Sequence, residues 1–447
     1  MDEFSSLYGK NSFQIIFLIV GMCQIPIAIA IRKIRNNSTA AKSLNLLATI
    51  ILFLILRDRF SPLIFIFYVL VNYLALHAAL LIPGEKKHLR TRAAMTILFS
   101  NLIVFCLGYV YSTGSILWIN DSLNVYIMTF LIPRLTQVAF QQLTRDVTKV
   151  NHRRLTNLSD YVCYCLGYIG ILTGPHLDVD NYLNIFYGMN EKESGNNDPA
   201  IGMKDKIRSF DFKHTIFHTK TLLACIIIYI SANAMKNHET PIVKLLEGKL
   251  YALSFLSISS SILFVHALSY ISFEILDYEK SLFLFPSESH ANMMPNSLQS
   301  AYCKTSIREL FRMWNRSVVM WFDYTLRGNV PTKHLPKVVF ITTILWHGPV
   351  YHYFATALYG YLLLQINKNH HKLLMRKRQL QWLNRRRNNK QYTVCSWILT
   401  IISISLCMKM MQRIDYRELN QIILYSPQNY IIYVTIFVQY ILERILV

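Results

Sequence analysis

Apolar stretches of bilayer-crossing length recur from one end of the chain to the other, and nothing else in the sequence limits the fold as strongly. They occupy 13–31, 61–82, 93–111, 123–140, 215–235, 251–272, 337–366, 393–411 and 430–445, with a shorter run at 44–56. An α-helix needs about 20 apolar residues to cross a hydrocarbon core of roughly 30 Å, and most of these runs approach that length. The expected fold is therefore all-α and polytopic: roughly 10 transmembrane helices, or 11 if one is discontinuous, with re-entrant and interfacial pieces. No soluble domain of ordinary size is left over. A hydrophobic share of 53% over 447 residues agrees with this. The first run follows an acidic opening, Met1-DEFSS, and has its basic residues after it, the reverse of a secretory signal. It is read as a retained span.

The net charge of +21 would suit a nucleic-acid partner if the cations formed one surface. They do not. Basic residues gather at 32–35, 86–92, 145–154 and 368–390, at the ends of apolar runs, as cytosolic loops do under the positive-inside rule. This placement argues against nucleic acid and puts the N-terminus in the lumen. The last cluster can also meet anionic head groups of membrane lipids. The eight cysteines lie mostly inside or beside apolar runs, as at Cys23, Cys106, Cys225 and Cys407, and are read as small core residues. Cys163 and Cys165, one residue apart, suit neither a redox pair nor a zinc knuckle, so no metal is expected.

Three polar interruptions break the pattern. The first, 175–213, follows Tyr161-VCYCLGYIGILTGPH, which is too short to cross and closes on a Gly-Pro turn; a half-inserted segment is expected there. The second, 274–336, is too long for an ordinary connection, and its last part sets Leu310, Trp314, Met320 and Trp321 among arginines, which predicts an amphipathic helix. The third is the basic loop after Ile366. If the second and third both face the cytosol, 337–366 cannot be a single crossing, and as one helix it would measure about 45 Å. A break resolves both difficulties. His347-Gly348-Pro349 is the expected place, because glycine loosens the backbone and proline removes a donor.

That break sets a titratable imidazole inside an apolar run, where an ionisable group is costly unless something uses it. Asn315 lies 32 positions upstream in Trp314-Asn315-Arg316. A Trp-Asn pair on a partly polar helix, followed about thirty residues later by Trp346-His347-Gly348 in a span, resembles the signature of the membrane-bound O-acyltransferases. The segment 158–183, Tyr-rich and containing Thr173-Gly174-Pro175, is similar to one carried by the lysophospholipid branch, and the nearest likeness is to lysophosphatidylinositol acyltransferases. One departure concerns the acceptor pocket. The phospholipid enzymes usually carry Pro-Gly-Tyr three residues past Trp-His-Gly, whereas here Pro349 follows at once and then Tyr351-His352-Tyr353.

The resemblance implies one acyltransferase domain over the whole chain, built around a central cavity in the endoplasmic reticulum membrane. It implies acyl-CoA as co-substrate, no permanently bound cofactor, and a lysophospholipid acceptor. Neutral His347 would take the proton of the attacking hydroxyl. Asn315 would hold substrate or steady the developing oxyanion. Trp314, Trp346, Gly348 and Thr173-Gly174-Pro175 would line the substrate site, and Arg312, Arg316 and Arg327 would meet coenzyme A phosphates or an anionic head group. Taken singly, each residue has a plainer reading: His347 as a satisfied interior histidine, Asn315 as a helix cap, the arginines as interfacial anchors, Thr173-Gly174-Pro175 as a turn. His77, His266 and His352 are given ordinary structural roles. A peptide acceptor within the same fold, or a transporter or scaffold, are the alternatives; a transporter would commonly show repeated halves, and none is visible.

Overall fold

The computed structural model describes residues 11–34, 36–55, 61–112, 122–144, 157–171, 212–236, 251–276, 303–314, 316–348, 351–376 and 390–411, with a few single positions between them. The regular secondary structure of these residues is helical, with no strand among them beyond one isolated bridge between Arg327 and Val330. The all-α expectation is met. The chain divides into two compact units, one of Met1–Lys220, Val265–Met293 and Met320–Leu335, the other of Thr221–Phe264, Met294–Val319 and Pro336–Val447.

The first unit is built on α1 (Asn11–Ile34), α2 (Ser38–Ile55), α3 (Ser61–Leu80), α4 (Lys87–Ser112), α5 (Ser122–Thr144) and the short α6 (Leu158–Leu166). α3 and α4 contain Leu63–Leu80 and Lys87–Gly108, two stretches long and apolar enough to cross a membrane by length and composition. Both fall where spans were expected. Along α3, Leu63, Phe67, Val71 and Leu74 make one outward stripe, with Leu63 65% and Phe67 68% exposed. The inward stripe is the more polar one. Asn72 is buried there and accepts from the Asn101 amide of α4 at 2.7 Å, while the Tyr68 hydroxyl donates to Asn101 Oδ1. Elsewhere too, Gln24, Asn45, Thr49, Arg134 and Gln137 are buried alongside the apolar core, while Ile19, Met22, Leu47, Ile51 and Leu107 face outward.

α6 lies in the stretch that the sequence reads as half-inserted, and its helix stops at Gly167. Asn157 caps its start by accepting from the Ser159 N–H at 2.9 Å. Beyond Gly167 the chain is irregular and still buried through Ile171, a state that survives only if its backbone groups find partners. They do. Arg134, on α5 and 2% exposed, donates from Nη1 to the carbonyls of Tyr164, Cys165 and Gly167 and from Nη2 to Ile169 at 2.7 Å. The Thr49 hydroxyl donates to the Leu166 carbonyl at 2.6 Å, and the Gln24 and Asn45 side-chain oxygens accept from the Gly170 and Ile169 N–H groups. A buried Lys42–Asp160 ion pair ties α2 to the first turn of α6. The guanidinium thus satisfies the carbonyls orphaned at a helix C-terminus, where a cation is also favoured by the helix dipole.

The second unit holds parts of α7 (Phe212–Lys236) and of α8 (Ala252–Ile275), α9 (Ile307–Trp314), α12 (Tyr351–Arg376) and α13 (Lys390–Met411), with α11 (Leu335–His347) leading into α12. Ile307 and Leu310 of α9 pack with Leu363 of α12, Ile404, Cys407 and Met408 of α13, and Phe255 of α8. Arg308 and Glu309 point outward, so α9 is amphipathic as its spacing requires. The stretch expected to be amphipathic carries α9 and α10 (Arg316–Thr325), with position 315 between them outside the described residues. Cys225 and Cys407 are buried core residues, as expected; Cys23 instead faces outward.

Candidate active site

The long apolar segment 337–366 is broken where its sequence predicted. α11 ends at His347 and α12 begins at Tyr351. Gly348 closes the helix, its N–H donating to the Leu345 carbonyl at 3.2 Å, and it adopts a φ of 99°. That left-handed backbone is open to glycine and strained for any residue with a Cβ, so the glycine of Trp346-His347-Gly348 has a local cause as a helix stop.

Trp346 is buried at 6% exposure, and His347 is half-buried. The imidazole lies against two aromatic rings: Trp346 at 4.7 Å between centroids with planes 57° apart, and Tyr353 of α12 at 5.5 Å and 41°. Ring contacts orient it. No hydrogen bond joins it to any of the described residues. Tyr353 was not anticipated as its neighbour. The signal was present, since six positions across a Gly-Pro bend bring two aromatic rings within reach of each other.

Asn315 and Thr173-Gly174-Pro175 lie outside the described residues, as do the side chains of Arg312, Trp314, Arg316, His266 and His352. The helices that flank Asn315 are described. α9 runs antiparallel to α12: Ser306, just before α9, donates to Asn367 Oδ1 at 3.3 Å, and five residues on, Phe311 lies against Gly360. The register carries the C-terminal end of α9 toward the N-terminal end of α12, the end that adjoins the His347 break. Arg327, the third arginine considered for phosphate, is exposed and forks onto Asp323 of the preceding turn, with Nη2 at 2.8 Å from Oδ1. It is engaged at the surface. His77, given a structural role, packs against Tyr73 at 4.2 Å between ring centroids.

Among the described residues no group of His, Cys, Asp or Glu is arranged to hold a metal ion. No family model matches the sequence, and no curated protein matches it significantly.

Proposed function

We propose that the chain is a polytopic membrane enzyme that transfers a long-chain acyl group from acyl-CoA to the free hydroxyl of a lysophospholipid, with lysophosphatidylinositol as the preferred class of acceptor. Membrane residence is supported by the outward-facing large aliphatic side chains, which recur on helix after helix. The endoplasmic reticulum follows from the family resemblance.

A single observation carries the catalytic reading: an imidazole at a glycine-stopped helix end, oriented by two rings and not hydrogen-bonded to any described residue, in a segment otherwise apolar. Such a ring is available as a proton acceptor. The acceptor hydroxyl loses its proton to a nitrogen of His347 as its oxygen forms a bond to the thioester carbonyl carbon. Collapse of that adduct breaks the C–S bond, and the proton passes to the departing coenzyme A sulfur. The products are an ester and free coenzyme A, with the imidazole returned neutral. Asn315 steadies the oxygen that becomes negative in between.

The test is to incubate the purified full-length protein with labelled acyl-CoA and a panel of lysophospholipids, and to analyse the products by mass spectrometry. Acyl transfer to a lysolipid that disappears in His347→Ala supports the reading. Transfer to a peptide hydroxyl with no lysolipid product replaces the acceptor, and undiminished transfer in His347→Ala removes the mechanism.

A further inference from the structure

The outward face of α4 is not uniformly convex. It lines an open groove of about 600 Å³ on the first unit, to which Asn329, in the turn after α10, also contributes. The α4 lining residues Arg92, Met95, Thr96, Phe99 and Ile103 recur at helical spacing on one face. The opposite face of α4, with Ile97, Leu98, Asn101 and Phe105, is buried. The groove therefore occupies the side of α4 that the protein leaves open.

Its polarity is graded. Arg92 stands exposed at the end nearest the basic 86–92 cluster, while Met95, Phe99 and Ile103 continue along the helix away from it. Arg90, by contrast, donates from Nε to the Ile82 carbonyl at 2.9 Å and so is turned back onto its own loop. From Arg92 to Ile103 the helix rises about 16 Å, close to half of a hydrocarbon core of roughly 30 Å. One turn below Arg92, about 6 Å deeper, comes the Thr96 hydroxyl. A cation, then about one turn on the Thr96 hydroxyl beside Met95, then Phe99 and Ile103 with Ser100 between them, over the depth of one leaflet, matches phosphate, then ester carbonyl, then acyl chain.

We propose that this groove is a binding site for one glycerophospholipid with an anionic head group, its phosphate on Arg92, its glycerol region beside Met95 with an ester carbonyl accepting from Thr96, and a chain along Phe99 and Ile103. The inference rests on the membrane reading above and not on the catalytic one. A guanidinium is the suited partner because its fork matches phosphate oxygens, and basic residues at this level are attracted to anionic lipid in any case. The apolar wall adds what surface charge alone lacks, a requirement for chain contact.

The experiment is native mass spectrometry of the detergent-purified full-length chain with added palmitoyl-oleoyl phosphatidylserine or the phosphatidylcholine of the same chains. The serine lipid is expected to stay bound as one equivalent, preferred over the choline lipid. Arg92→Glu should weaken its retention by about tenfold or more. Ile103→Trp, which fills the groove without altering charge, should weaken both lipids. Lys86→Glu, an equal charge change outside the groove, should leave retention close to wild type. Equal losses in Arg92→Glu and Lys86→Glu, or no loss in Ile103→Trp, overturn the site and leave only diffuse electrostatics. Variants that match wild type in thermal unfolding and elution are the ones compared. Alkaline carbonate extraction of native membranes separates the two premises: release of the protein sinks the membrane reading, whereas a retained protein without lipid preference sinks the groove alone.

Discussion

Two helix breaks, one in each unit, treat their polar groups in opposite ways. After Gly167 the exposed carbonyls of α6 receive donors from Arg134 and Thr49, and the N–H groups that follow find Asn45 and Gln24. After His347 the backbone is closed by Gly348, but the imidazole beside it is held by ring contacts alone among the described residues. A polar group whose hydrogen bonds are all met within the protein contributes to holding a shape. One left oriented and unspent is available to a substrate. The same distinction separates Arg134 from His347 although both are ionisable groups inside apolar runs.

Exchanging the two kinds of damage tests that contrast. The largest effect is expected for His347→Ala, which should lower acyl transfer by about 10³-fold, in the range for loss of a general base, while thermal unfolding in detergent stays near wild type. A comparable loss of folding stability would show the ring to be a packing element instead. Arg134→Met should do the reverse, destabilising the protein by about 3–5 kcal/mol because four buried carbonyls lose their donor together. Arg134→Lys should recover only part of this, since an ammonium has three donors and no planar fork. Chemical or thermal unfolding in a fixed detergent reads both, and an unchanged midpoint in Arg134→Met would break the comparison.

Gly167→Ala sharpens it on the structural side. A Cβ there would fall on the Asn45 amide and the Cys163 carbonyl, which have little room to yield, so a loss of about 1–3 kcal/mol is expected, visible as a lower unfolding midpoint. The smallest effect should come from Thr342→Val and should be favourable. The Thr342 hydroxyl is wholly buried on α11 with no hydrogen-bond partner, whereas its neighbour Thr343 donates to the Val339 carbonyl at 2.7 Å. Replacing it with an isosteric apolar group should raise stability by about 1 kcal/mol. A lower unfolding midpoint would mean that the hydroxyl has a partner after all.

The two breaks also differ in how far they were legible beforehand. The His347 break could be read because its determinants are adjacent in the chain: a segment too long for one crossing, with Gly348 and Pro349 at its middle. The Gly167 break could not be placed, and the turn at Gly174-Pro175 was the stronger local signal. α6 ends earlier because its capping donors come from α2 and α5, as the Arg134–Gly167 and Thr49–Leu166 bonds show, across 33 and 117 positions of sequence.

By itself the chain determined its helical class, the apolar stripes, the basic ends of its runs and the bend at His347, because each depends on residues within a few turns of one another. Only the tertiary structure decided which buried polar groups have their partners and which do not. Burial demands that hydrogen bonds be met, and the groups that meet them are brought together by packing between distant helices, which local sequence does not specify.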